Sequence, residues 1–133
     1  MKQLVAALSL LLSLTGPVLA LEKQPFTPER FAEIQEKDEV VLIDVYAPWC
    51  PTCAKQQEAL TAWASANPDK NLHVLVVDYD NDKEWVRHFR APRQSTLLLY
   101  RGKDQFWYSV AETRPEVIAA EINKAFNFER RAP

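Results

Sequence analysis

Val40-Val41-Leu42-Ile43-Asp44-Val45-Tyr46-Ala47-Pro48-Trp49-Cys50-Pro51-Thr52-Cys53 decides the reading of this chain. Its first seven residues are apolar and mostly β-branched but for Asp44 and Tyr46, the composition of a central strand covered on both faces. The run ends in the two cysteines the chain has, two residues apart. A disulfide closing so short a loop restrains the unfolded chain little, because that effect grows with the number of residues enclosed. Two vicinal thiols at the start of a helix can instead attack, resolve and re-form disulfides in other molecules. The pair is therefore a candidate for redox chemistry, ahead of a structural bridge or a metal site.

Working outward, the cysteines open a helix to about Asn67, with Leu60, Trp63 and Ala64 inward and Pro68 enforcing the stop. Leu72 to Val77 reads as a second buried strand. Upstream, Thr27 is an N-cap, Pro28 takes the first helical position, and Phe31 and Ile34 supply a buried stripe. Downstream, Asn81-Asp82-Lys83-Glu84 has the capping-box pattern and opens a short helix through Trp85, Val86 and Phe89, ended by Pro92. Thr96 to Tyr100 and Gln105 to Val110 read as strands of a hairpin turning at Arg101-Gly102-Lys103-Asp104. Thr113-Arg114-Pro115-Glu116 is a second capping box, opening a helix with Val117, Ile118, Ile122 and Phe126 on one face. The pattern is α/β: a βαβ unit, then a hairpin and a helix, giving a mixed sheet flanked by helices on both faces.

Residues 1–20 read as a signal peptide: Lys2 gives a positive start, Leu4 to Leu14 an apolar stretch, and Val18-Leu19-Ala20 the cleavage pattern. Residues 21–133 then form one domain. The apolar stretch is short for a membrane span, so the mature chain is expected to be exported without stable membrane insertion, into a bacterial periplasm. The formal charge is −2, and −3 once Lys2 leaves with the leader, which indicates no nucleic-acid surface and no polybasic membrane patch.

The order of elements, the Asp44 to Cys53 run and the Thr96-Leu97-Leu98-Leu99-Tyr100 strand resemble the thioredoxin family. The resemblance implies the thioredoxin fold and thiol-disulfide exchange through a redox-active Cys50–Cys53 pair with no bound organic cofactor. Protein thiols and disulfides are the implied partners of a monomer. Cys50, where a helix presents unpaired N–H groups, is the expected nucleophile, and the deeper Cys53 the resolving thiol. Asp44, placed by resemblance beneath the second cysteine, is the expected general base with a raised pKa. Trp49 is assigned to the partner surface and to shielding of the thiolate.

The chain departs from the family where a cis-proline would precede Thr96, since that position is Ser95. A cis bond before a non-proline residue costs about 2.5–4 kcal/mol, so a trans bond is expected. Ser95 would bring a hydroxyl, and a backbone N–H, toward Cys50. Gln94 is expected to pair its backbone with an extended substrate, so Trp49, Gln94, Ser95 and Thr96 form the expected substrate-binding set. Losing the proline also leaves open a non-catalytic binding module or a copper(I) metallochaperone. His73 and His88 do not have zinc-ligand spacing, and no metal site is assigned. Pro51-Thr52 between the cysteines carries no cation, which leans toward a reductant or mild isomerase supplied by a membrane electron donor. Alternation in β-structure puts Phe106 and Tyr108 on one face and Trp107 on the other, with Trp107 read as packing. Arg87, Arg90 and Arg93 read as a solvated basic edge.

Overall fold

The computed structural model describes residues 21–130, so the expected signal peptide at residues 1–20 lies outside the described residues. The elements are β1 (Lys23–Pro25), α1 (Pro28–Glu36), β2 (Val40–Tyr46), α2 (Pro51–Ala66), β3 (His73–Asp78), α3 (Lys83–His88), β4 (Thr96–Arg101), β5 (Asp104–Val110) and α4 (Pro115–Asn127). They build a mixed five-stranded sheet of order β1-β3-β2-β4-β5, with β1, β3 and β2 parallel and β4 and β5 antiparallel. No helix among the described residues is long and apolar enough to cross a membrane.

Central β2 carries the core on both of its faces. Val40 and Leu42 pack with Leu60, Trp63, Ile118 and Ile122 of α2 and α4. Val41, Ile43 and Val45 pack with Ile34 of α1 and with Val86 and Phe89. Each fully buried aliphatic side chain contributes about 1.5–3 kcal/mol, so the two layers make β2 the most firmly fixed element. Its C-terminal end is therefore a rigid platform for whatever follows Tyr46. Parallel pairing with β3 and antiparallel pairing with β4 bring the chain segments after Asp78 and before Thr96 to that same end.

One strand lay outside the sequence reading, and several local expectations needed correction. Strand β1 has three exposed residues, Lys23, Gln24 and Pro25, and exists only by parallel pairing with Val74 to Val76. Neither downstream capping box forms. Helix α3 starts at Lys83 after Asp82, whose carboxylate accepts instead from the Asp78 N–H, while Asp78 accepts from Asp80 and Asn81. Helix α4 is preceded by Arg114, whose N–H is taken by Glu112. A bulge beside Leu99 and Tyr100 breaks the alternation of β5, so Phe106 and Trp107 both pack toward α2 and α4 and of the three aromatics only Tyr108 is left exposed.

The hairpin turn holds the end of the sheet remote from the cysteines. Gly102 has φ +55, and a Cβ there would come within 2.6 Å of Asp38 Oδ1, so the turn requires glycine on both grounds. Next to it, Arg101 Nη1 donates to the carbonyls of Ala125, Phe126 and Phe128 at 3.1, 3.2 and 2.8 Å. These are acceptors that the end of α4 cannot satisfy itself. Arg101→Met keeps the apolar stem and removes the donors. Urea unfolding should show a loss of about 1–3 kcal/mol with unchanged m-value, and a loss under 0.5 kcal/mol would deny the cap.

Candidate active site

Strand β2 ends at Tyr46, and a short connection through Ala47, Pro48 and Trp49 delivers Cys50 to the N-cap of α2. Pro51 sits at the first helical position, where its missing N–H has no partner to lose. The cap is a sulfur: Cys50 Sγ accepts the Cys53 N–H at 3.1 Å. Both cysteines are free thiols and both are buried, Cys50 at 3% exposure and Cys53 at 0%. Exposed Trp49, 57% accessible, marks the approach beside them, and its Nε1–H donates to Asp80 Oδ2 at 2.8 Å. Asp80 follows β3, and its contribution was not evident in the sequence.

Ser95 closes the site from the loop before β4. Its Oγ lies 3.0 Å from Cys50 Sγ and 3.1 Å from Cys53 Sγ. No peptide bond among the described residues is cis, and Ser95 instead takes φ +65, a left-handed conformation that serine seldom adopts. Its N–H does not face Cys50 but donates to Val45 O at 2.8 Å, and its carbonyl accepts from the Ala111 N–H at 2.9 Å. Gln94 is partly exposed beside it, with its side chain close enough to Cys50 to lower the thiol's pKa. Thr96 is fully buried, its hydroxyl donating to Arg93 O at 2.7 Å, so it shapes the loop and does not face a substrate. Ser95 is equally buried and faces the sulfurs.

These contacts separate the two thiols. Desolvation pushes Cys50 up, but the neighbouring Cys53 side chain, the Ser95 hydroxyl, the Cys53 N–H and nearby Gln94 outweigh it and hold the thiol below its ordinary range. Burial raises Cys53, and the neighbouring Cys50 raises it further.

Asp44 is fully buried on the face of β2 that meets α2. Its Oδ2 accepts from Gln57 Nε2 at 2.9 Å, and Oδ1 has no hydrogen-bond partner. Gln57 stands four residues after Cys53 on α2, so the Asp44 carboxyl is tied to the helix that carries the cysteines. Burial pushes its carboxyl above the usual range, opposed by Gln57 and by Lys23 of β1. Neither Gln57 nor Lys23 was singled out from the sequence.

Other candidates lie elsewhere. His73 bonds Glu39 and Asn71 at the start of β3, and His88 packs edge-on against Trp85 and Phe89. Among the described residues no group of three or more His, Cys, Asp or Glu is placed to hold a metal. Arg87, Arg90 and Arg93 are exposed, with Arg90 O accepting the Tyr108 hydroxyl at 3.1 Å.

Residues 22–124 match the family model described as Thioredoxin. Over 76 residues the chain is 30% identical to a thioredoxin of Alicyclobacillus acidocaldarius subsp. acidocaldarius, covering 57% of this chain and 71% of that protein. Over 85 residues it is 27% identical to the thiol:disulfide interchange protein DsbE of Haemophilus influenzae, covering 61% of this chain but 42% of the longer protein. The crystal structure of Trxlp from Edwardsiella tarda EIB202 aligns with a TM-score of 0.70 at 34% identity, over 76% of this chain and 98% of that one. With the family match running through the sheet and both cysteines, the chain belongs to the thioredoxin family of thiol-disulfide oxidoreductases.

Proposed function

We propose that the chain is an exported, periplasmic member that reduces or isomerises disulfides in protein substrates, acting as a monomer recharged by a membrane electron donor. The reading is carried by the Cys50 sulfur, held as helix cap by the Cys53 amide and hydrogen-bonded by Ser95 Oγ. Cys50 thiolate attacks one sulfur of a substrate disulfide, forming a mixed disulfide and expelling the other sulfur as thiolate. Cys53 then gives up its proton, attacks Cys50 Sγ and releases the second substrate thiolate, leaving Cys50–Cys53 oxidised. Asp44, buried on β2 and tied by Gln57 to the helix that carries Cys53, is the acceptor for that proton when ionised. Among the described residues the groups hydrogen-bonded to Cys50 are the Cys53 amide and the Ser95 hydroxyl, neither of them a cation. This supports a potential more reducing than about −180 mV, nearer thioredoxin-like values than those of strong oxidants.

Purified mature protein should accelerate insulin reduction by dithiothreitol, and Cys50→Ser should abolish the acceleration. Cys53→Ser should accumulate a mixed disulfide on non-reducing gels. No acceleration by the wild type, together with tight copper(I) uptake, would overturn the enzymatic reading in favour of a metallochaperone.

Asp44 gives a pH-dependent check. A carboxyl whose pKa is raised by folding stabilises the fold below its unfolded value of about 3.9, and that stability is lost as pH rises through the raised value. Asp44→Asn should therefore melt higher than wild type at pH 7.5, with the gap closing below about pH 4. The same variant should lower insulin reduction at pH 7 by roughly tenfold or more while still forming the mixed disulfide. Equal melting at both pH values would show that the carboxyl is not perturbed.

A further inference from the structure

Gln56 is a polar side chain with no solvent exposure on the inward stripe of α2, between Cys53 and Ala59. Its Oε1 has no partner, so as a packing residue it is inferior to the leucine or methionine that the stripe would accept. Its Nε2 is fully used: it lies 3.0 Å from Ser95 O and 3.0 Å from Glu112 O, one acceptor for each of its two hydrogens. Both carbonyls belong to the loops flanking the β4–β5 hairpin at the cysteine end. Ser95, at φ +65, and Ala111, at φ +61, both adopt left-handed backbone there and bond one another through the Ala111 N–H. Non-glycine residues keep that conformation only where surrounding contacts impose it.

We propose that Gln56 is a positioning residue of the redox centre, clamping Ser95 in its left-handed conformation so that a single hydroxyl bonds both sulfurs at once. The inference deepens the thiol-disulfide reading and rests on it. A thiolate can only accept hydrogen bonds, so when Cys50 is ionised the Ser95 O–H points to Cys50 and the Ser95 oxygen is left to accept the Cys53 S–H. One hydroxyl has one hydrogen and serves one thiolate. The clamp thereby assigns the proton before a partner arrives, leaving the nucleophile charged and the resolving thiol neutral.

The test is the pH profile of Cys50 alkylation by iodoacetamide, followed by peptide mass mapping in the full mature protein. The other ionisable groups facing the pair are Cys53, Asp44 beneath α2, Tyr46 and Tyr79 packed on the cysteines, and Glu112, which Arg114 holds down at about 2. Gln56→Met should move the profile to higher pH, so that alkylation at pH 7 slows about threefold or more. Ser95→Ala should slow it at least as much, and Ser95→Thr should retain most of the wild-type rate. In the Ser95→Ala background, Gln56→Met should shift the profile no further. A residue that merely filled space would lower the melting temperature in both backgrounds and leave the profile in place.

A Gln56→Met profile superposing on wild type, or shifting equally with and without the Ser95 hydroxyl, overturns the clamp. Should Gln56→Met not fold, Gln56→Asn, which keeps a buried amide one methylene too short for both carbonyls, is read by the same criteria. Wild-type Cys50 alkylating no faster than free cysteine would sink the nucleophile assignment itself, an outcome distinct from failure of the clamp.

Discussion

The hydrogen bond from the Cys53 amide to the Cys50 sulfur is where backbone structure becomes chemistry in this molecule. Helices are usually capped by an oxygen, and a sulfur in that place makes helix initiation and thiolate stabilisation one and the same bond. The bond is fixed from both sides. Strand β2 is buried in two core layers and cannot shift, and Pro51 sets the first turn of α2 in the helical φ range. Fraying of that turn would weaken the nucleophile, and protonation of the nucleophile would weaken the turn.

Ser95 answers a geometric problem by unusual means. The loop facing the cysteines must turn sharply into β4, and here it does so with a trans peptide and a left-handed serine anchored at its N–H, its carbonyl and its hydroxyl. A glycine would adopt the backbone more readily but would bring no hydroxyl to the sulfurs. The strain is thus coupled to a chemical group, the pattern expected where backbone conformation serves a site.

Much of this was legible in the sequence because the relevant signals are local. The apolar run of β2, the cysteines and Pro51 at the mouth of α2, and the stripe of α4 are each written within a few consecutive residues. What escaped depends on partners far along the chain. Gln56 meets carbonyls 39 and 56 residues away, and the Trp49 indole meets Asp80, 31 residues on. A glutamine three positions after Cys53 on an otherwise inward stripe was the available hint for the first. Strand β1 has no buried side chain to announce it. The two capping patterns failed because closer carboxylates, Asp78 and Glu112, took the amides or side chains around them. One extra residue at the bulge was enough to turn Phe106 to the same side as Trp107.

The tail beyond α4 folds back, with Arg130 Nε bonding Asp38 at 2.9 Å and Nη1 bonding Asp104 at 2.8 Å. Asp38 precedes β2 and Asp104 opens β5, so this anchorage lies at the pole of the molecule opposite Cys50. A bead, dye or carrier joined beside Arg130 would consequently present the thiols outward to bulk solvent and to large protein partners. Attachment through Lys23 has a different consequence, because that residue lies close enough to influence the buried Asp44.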